Sequence, residues 1–154
     1  MRPLFEVRKL VFPITFVLAN QEYDPKKHIE PDLDVFAKLR KIPRKRNLWE
    51  LNLTVFTPSD MDKSLFPYSF HLMASAVLEH IVPDDMTKAD IIEMKKLLYV
   101  NGASVTYSAV RDRLLLLTGN TPYLPYCLPS YRFNPDHYDE SGRREKTPAE
   151  STNS

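Results

Sequence analysis

The hydrophobic period of this chain changes once, near Thr87, and no other feature of its 154 residues limits the fold so strongly. Before that point apolar residues recur at every second position. In residues 48–56, Trp49, Leu51, Leu53 and Val55 form one face against Glu50, Asn52 and Thr54. Side chains of an extended chain point alternately to opposite sides, so this pattern reads as a strand with one buried face. Residues 65–82 repeat it: Phe70, Leu72, Ala74, Ala76 and Leu78 alternate with His71, Met73, Ser75, Val77 and Glu79, between Pro67 and Pro83. Residues 10–19 alternate as well, with Leu10, Phe12, Ile14, Phe16 and Leu18 against Val11, Pro13, Thr15 and Val17. A fourth, half-solvated strand is expected over residues 29–39, where Ile29, Leu33 and Val35 oppose Glu30, Asp32 and Asp34.

Beyond Thr87 the period becomes helical. Thr87 and Asp90 have the spacing of a capping box, and Ile91, Met94, Leu97 and Leu98 follow at helical intervals. The pattern restarts after Gly102 with Val105, Ala109, Val110 and Leu114. Glycine inside a helix costs about 1 kcal/mol, so a break or kink is expected at Gly102. Residues 114–117 are all leucine, which implies a helix end buried on several sides before the stop at Thr118 and Gly119. Pro122, Pro125 and Pro129 suit an extended segment over residues 123–133, lying along a groove or sheet edge. Segregated strands followed by helix give an α+β class, a four-stranded antiparallel sheet followed by a helix layer. The domain is expected to span residues 1–133, and the polar residues 134–154 to form a disordered tail.

Composition then removes whole classes of function. Three scattered glycines, Gly102, Gly119 and Gly142, allow neither a dinucleotide fingerprint nor a phosphate-cradling loop. A single cysteine, Cys127, excludes an internal disulfide framework and a multi-cysteine zinc site. Twenty-one basic and twenty acidic residues leave a net charge of +1, without a global field to recruit nucleic acid. The apolar residues 10–19 follow Arg2, Arg8 and Lys9 in the manner of a secretory signal, but their β-branched alternation and the polar Asn20, Gln21 and Glu22 after them favour a strand. No stretch approaches the ~20 apolar residues of a membrane span. A cytoplasmic location without membrane insertion is the expectation.

Catalytic chemistry is not legible. His28, His71, His80 and His137 are scattered, so no metal is expected. Gly102-Ala103-Ser104 lacks the closing glycine of a nucleophile elbow, and Glu30, Asp32 and Asp34 read as a solvated strand face rather than an acid–base pair. The strongest charge feature is the run Lys38, Arg40, Lys41, Arg44, Lys45 and Arg46. It grips phosphates in one reading and keeps a hairpin turn soluble in the other. No aromatic residue interleaves it, so nucleic acid is the less favoured partner. Apolar surplus is the better clue. One helix layer covers only one sheet face, yet Phe12, Phe16, Phe56, Met73 and Val77 fall on the second faces. Either a second copy or an apolar partner must meet them.

Residues 97–133 carry a recognisable order of motifs: Val100-Asn101-Gly102, then Tyr107 and Arg111, Thr118-Gly119, and Leu128-Pro129 through Phe133. With the four strands before it and Pro31-Asp32-Leu33-Asp34 ahead of the second, this order resembles the SecB export-chaperone family over about residues 4–133. The resemblance implies an ATP-independent holdase without enzymatic activity or cofactor, assembled as a dimer or tetramer, whose apolar grooves hold unfolded or precursor polypeptides. Carried onto this sequence, the client contacts are Leu33, Val35, Phe36, Leu39, Trp49, Tyr107, Val110 and Leu114. The chain departs from the family in three ways. It is near neutral, it has Pro13, Val17 and His71 where the family places acids that contact the SecA motor, and residues 134–154 replace a C-terminal amphipathic helix. Delivery to SecA is therefore not the expectation, and a SecB-like chaperone of a toxin–antitoxin system is the alternative. The rival from another class is a nucleic-acid-binding module using residues 38–46.

Overall fold

A computed structural model describes residues 5–138. Strands β1 (Glu6–Ala19), β2 (Asp34–Lys41), β3 (Leu48–Phe56) and β4 (Tyr68–Glu79) form one antiparallel sheet in the order β1-β4-β3-β2, and helix α1 (Lys88–Thr118) lies across one of its faces. The α+β class read from the sequence is the observed one. The alternation works as the chemistry requires: every second residue of β3 and β4 is buried, and Leu51, Leu53, Val55, Leu72, Ala74, Ala76 and Leu78 are fully enclosed beneath α1.

Several boundaries differ from the sequence reading, each for a local reason. β2 begins at Asp34 rather than residue 29, because Pro31 has no amide to donate and Ile29 instead donates to the Leu65 carbonyl at 2.9 Å. β4 is shorter than residues 65–82: Leu65 belongs to a turn bonded to Asp62, and the His80 amide turns to the Asn47 carbonyl at 2.8 Å. β1 starts earlier, at Glu6, and its register shifts between Val11 and Ile14, opposite Ala74. That bulge turns Phe12 to the helix side, where the Arg113 guanidinium sits 5.0 Å over its ring, so Phe12 does not share the outer face with Phe16.

Helix α1 opens on the expected capping box. The Thr87 hydroxyl accepts from the Asp90 amide at 3.2 Å, and Asp90 accepts from the Thr87 amide at 3.3 Å. It does not break at Gly102. A Cβ at that position would sit 2.7 Å from Leu78 Cδ1, so glycine is there to let the helix approach the sheet, and close packing offsets its propensity cost. The leucine-rich end is not enclosed on several sides: Leu114 is buried, while Leu115 and Leu116 face solvent.

Past the helix, residues 123–133 run back along α1 rather than along a sheet edge. The Tyr107 hydroxyl donates to the Pro129 carbonyl at 2.6 Å, Leu128 and Phe133 enter the core, and Phe133 meets Tyr99 edge-on. The chain continues to pack beyond Phe133. A 3-10 turn at Pro135–His137 brings Tyr138 to 5.9 Å from Tyr99. The remainder of the expected tail, residues 139–154, lies outside the described residues.

The sheet face away from α1 has a readable map. Cross-strand partners set four successive rows: Phe16, His71, Phe56 and Asp34; Ile14, Met73, Thr54 and Phe36; Val11, Ser75, Asn52 and Lys38; Lys9, Val77, Glu50 and Arg40. The first two rows are predominantly apolar and aromatic, the last largely charged.

Candidate functional site

Of the eight side chains expected to touch a client, six are interior. Val35, Leu39, Trp49, Tyr107, Val110 and Leu114 are all buried between sheet, helix and the returning C-terminal segment. Their periodicity marks the core of the protomer, not its surface. Leu33 is half-buried in the loop before β2, and Phe36 is half-buried on the outer face, stacked on Phe56 with ring centroids 5.7 Å apart. The structure does not bring these eight together into one exposed patch.

The basic run is a hairpin turn, and half of it is engaged internally. Arg40 pairs with Glu50 at 2.5 Å, Arg46 pairs with Asp84, and the Lys41 ammonium donates to the carbonyls of Lys45 and Leu48 while lying 5.5 Å over the Trp49 ring. Lys38, Arg44 and Lys45 project into solvent. Lys38 lies on β2 and only Arg44 and Lys45 on the turn, so the three exposed cations are separated and form a weak phosphate grip. Catalytic readings find no geometry: Ser104 donates back to the Val100 carbonyl at 2.7 Å, and Glu30 and Asp32 precede β2 instead of sharing a strand face with Asp34. Among the described residues, no cluster of three His, Cys, Asp or Glu side chains is placed to hold a metal, and no helix is long and apolar enough to cross a membrane.

Another recess lies where the end of β1, the start of β4 and the turn after α1 meet. It is a cavity of about 500 Å³, and tyrosine and proline build most of it. Pro122, Tyr123, Leu124, Pro125 and Tyr126 form one wall, and Tyr23, Pro25, His28, Pro67 and Tyr68 the other. Each proline restricts the backbone around it, and each tyrosine is anchored through its hydroxyl. Tyr68 donates to the Leu124 carbonyl at 2.7 Å, and Tyr123 donates to the Asn20 carbonyl at 2.7 Å. Edge-on stacking locks the rings: Tyr23 on Tyr123 at 5.3 Å, Tyr68 on Tyr123 at 6.0 Å, and Phe66 on Tyr126 at 5.0 Å.

A polar chain runs along one lip. The Tyr23 hydroxyl meets His28 Nδ1 at 2.8 Å, His28 Nε2 meets Glu30 at 3.0 Å, and Glu30 accepts from the Tyr126 hydroxyl at 3.3 Å. Burial, reinforced by the Glu30 carboxylate, raises the Tyr126 phenol above its ordinary pKa and keeps it a neutral donor. With the hydroxyls committed to the protein, the recess offers rigid aromatic carbon, and Leu124 stands at its rim with 85% of its surface exposed. Such a surface suits an extended chain: tyrosines give contact area at low entropic cost, and proline-lined aromatic grooves accept extended backbone.

Sequence reasoning passed over this recess because its walls come from distant segments. The one local signal was the interleaving of proline and aromatic residues at Pro122-Tyr123-Leu124-Pro125-Tyr126, echoed by Tyr23-Asp24-Pro25.

No family model matches the chain, and no curated protein matches its sequence. Among solved structures it is similar to the Mycobacterium tuberculosis SecB-like chaperone Rv1957, which was solved in complex with a ChAD peptide from the Rv1956 HigA1 antitoxin. The TM-score is 0.61 at 14% identity, covering 84% of this chain and 92% of that one. The fold is SecB-like. In this SecB-like sheet and helix, the tyrosine–proline recess lies where the end of β1, the start of β4 and the turn after α1 meet, while six of the eight expected client residues belong to the core.

Proposed function

We propose that this chain is a SecB-like chaperone that holds extended polypeptide in the tyrosine–proline groove without ATP or a cofactor and without catalysing a reaction. The observation that carries this reading is a preformed apolar recess whose hydroxyls are already satisfied and whose rim residue, Leu124, is 85% exposed. The peptide-bound state of the similar solved chaperone supports it. Two client classes share the chemistry, a precursor polypeptide and an antitoxin segment. The second is favoured because Pro13, Val17 and His71 stand at the positions where the SecB family carries acids for an export motor.

Self-association belongs to the same proposal. Leu97, Val105, Leu115 and Leu116 leave an apolar stripe along the solvent side of α1, between 40% and 68% exposed, which a second copy would cover to give a dimer or tetramer. The function is tested by suppression of aggregation of a chemically unfolded protein, with nucleotide absent. The wild-type chain suppresses aggregation at near-stoichiometric ratio, and Leu124→Asp does so poorly. Equal suppression by both proteins would remove the groove from the mechanism.

A further inference from the structure

A second apolar recess, of about 410 Å³, lies between the end of β4 and the first turns of α1. His80, Pro83 and Met86 line it from the strand end and the linker, and Asp90, Glu93 and Met94 line it from the helix. None of these residues belongs to the tyrosine–proline groove.

His80 is the residue that alternation does not explain. It continues the inward row of Ala74, Ala76 and Leu78 and is 8% exposed, in a place where an aliphatic side chain would complete the core. Its amide donates to the Asn47 carbonyl at 2.8 Å, so the backbone is served. The ring is not. Nδ1 is buried and has no hydrogen-bond partner among the described residues. Taking a ring nitrogen out of water without a bond in return is a cost that native folds ordinarily avoid, and it calls for a reason. A neutral imidazole is the commonest metal ligand among side chains.

The other donors of the recess divide into engaged oxygens and apolar sulfurs. Asp90 is spent on the capping box, where it accepts from the Thr87 amide at 3.3 Å and from the Thr87 hydroxyl at 2.7 Å. Glu93 faces the Lys96 ammonium at 3.8 Å. The two thioethers sit in the apolar wall, Met94 buried at 6% exposure and Met86 half-buried. Methionine turns about three side-chain bonds, so both sulfurs can swing towards the ring without movement of the backbone. An imidazole and two thioethers carry no formal charge. In an apolar recess such a set suits a soft monovalent ion, whereas a divalent ion would need free carboxylates to offset its charge.

From this juxtaposition we propose that His80, Met86 and Met94 form a site for a soft monovalent metal ion, copper(I), in the recess between β4 and α1. Bound there, the ion ties the linker to the sheet end and to the start of the helix.

The experiment uses the full chain under ascorbate, with copper(I) supplied from a chromophoric chelator that competes for it and silver(I) as a redox-inert substitute. The chain has five methionines, which report separately through isotope-labelled methyl resonances. One equivalent of either ion should shift the Met86 and Met94 methyl signals and leave those of Met61 and Met73 in place. Met86→Leu combined with Met94→Leu, which nearly conserves volume, should weaken copper(I) binding at least tenfold. Met61→Leu combined with Met73→Leu should leave it unchanged. His80→Gln should also weaken it at least tenfold, and the methionine pair decides alone if that variant does not fold. Zinc(II) should bind at least tenfold more weakly than copper(I). Full affinity in the Met86→Leu, Met94→Leu variant, shifts at Met61 or Met73, or zinc(II) binding as tight as copper(I) would overturn the proposal. So would loss of binding in Cys127→Ser, because the exposed thiol beside Arg111 would then be the ligand.

Discussion

Gly102 tests whether the helix and sheet approach as closely as the structure shows. Replacing it with alanine has two opposed effects. In a helix interior alanine is favoured over glycine by about 1 kcal/mol. Against this, the new methyl would lie 2.7 Å from Leu78 Cδ1, inside van der Waals contact and against a side chain with no exposed surface. Overpacking of that kind costs about 1–3 kcal/mol, so Gly102→Ala should destabilise by up to about 2 kcal/mol. Leu78→Ala alone should cost about 2–5 kcal/mol, through lost burial and a cavity. In the Leu78→Ala background the clash is gone and the methyl fills part of the void, so Gly102→Ala should now stabilise by about 1 kcal/mol. The sign of one substitution therefore reverses with its neighbour. Urea unfolding of the four proteins, followed by circular dichroism, measures both changes. If Gly102→Ala stabilises equally in both backgrounds, Gly102 is not a contact glycine and the packing described here is wrong.

Three further outcomes follow from local chemistry. Burial pushes the Tyr107 phenol up to about 12 and also raises Tyr126 and Tyr131; phenols raised in the folded state give stability that is complete below pH ~10 and lost as pH rises towards and through their folded values. Stability measured by denaturant should fall above pH ~10, in step with tyrosinate absorbance, and a flat profile to pH ~12 would contradict the burial. Arg44 has a φ of 64° at the third position of the turn from Ile42 to Lys45, after Pro43, where glycine is the unstrained residue; Arg44→Gly should be stabilising by about 0.5–1 kcal/mol in thermal unfolding, and a loss of stability would refute the strain. Truncation after Phe133 removes the Tyr138 ring from Tyr99 and should cost about 1 kcal/mol in denaturant unfolding, whereas no change would mean that this contact contributes nothing.

The strands were legible because β3 and β4 alternate without interruption, and burial follows that alternation residue by residue. Continuity of the helix at Gly102 was not legible, since a glycine that breaks a helix and one that admits a neighbouring sheet look alike until Leu78 is placed beside it. Six of the eight expected client residues are interior for a related reason. Periodicity identifies Val35, Leu39, Val110 and Leu114 as facing inward, and an inward-facing residue of a single protomer is core before it is anything else. The side chains with surface to offer, Leu124 and the tyrosines around it, lie in aperiodic segments joined only by folding, through contacts such as Tyr123 with Asn20. Phe12 illustrates the same limit on one strand: a bulge between Val11 and Ile14 reverses its side, and alternation cannot announce a bulge.

The central claim is that apolar contact in the groove, not charge, holds polypeptide. It is tested most directly by the affinity of a fluorescently labelled, permanently unfolded polypeptide for the wild-type chain and for Leu124→Asp, each at low and high salt without nucleotide. One buried leucine contributes about 1.5–3 kcal/mol, so the variant should bind at least ~10-fold more weakly. Salt should change the wild-type affinity little, because surface ion pairs contribute only ~0–1 kcal/mol and are screened. A Leu124→Asp protein that binds as well as wild type, or a wild-type affinity that collapses with salt, would contradict the account.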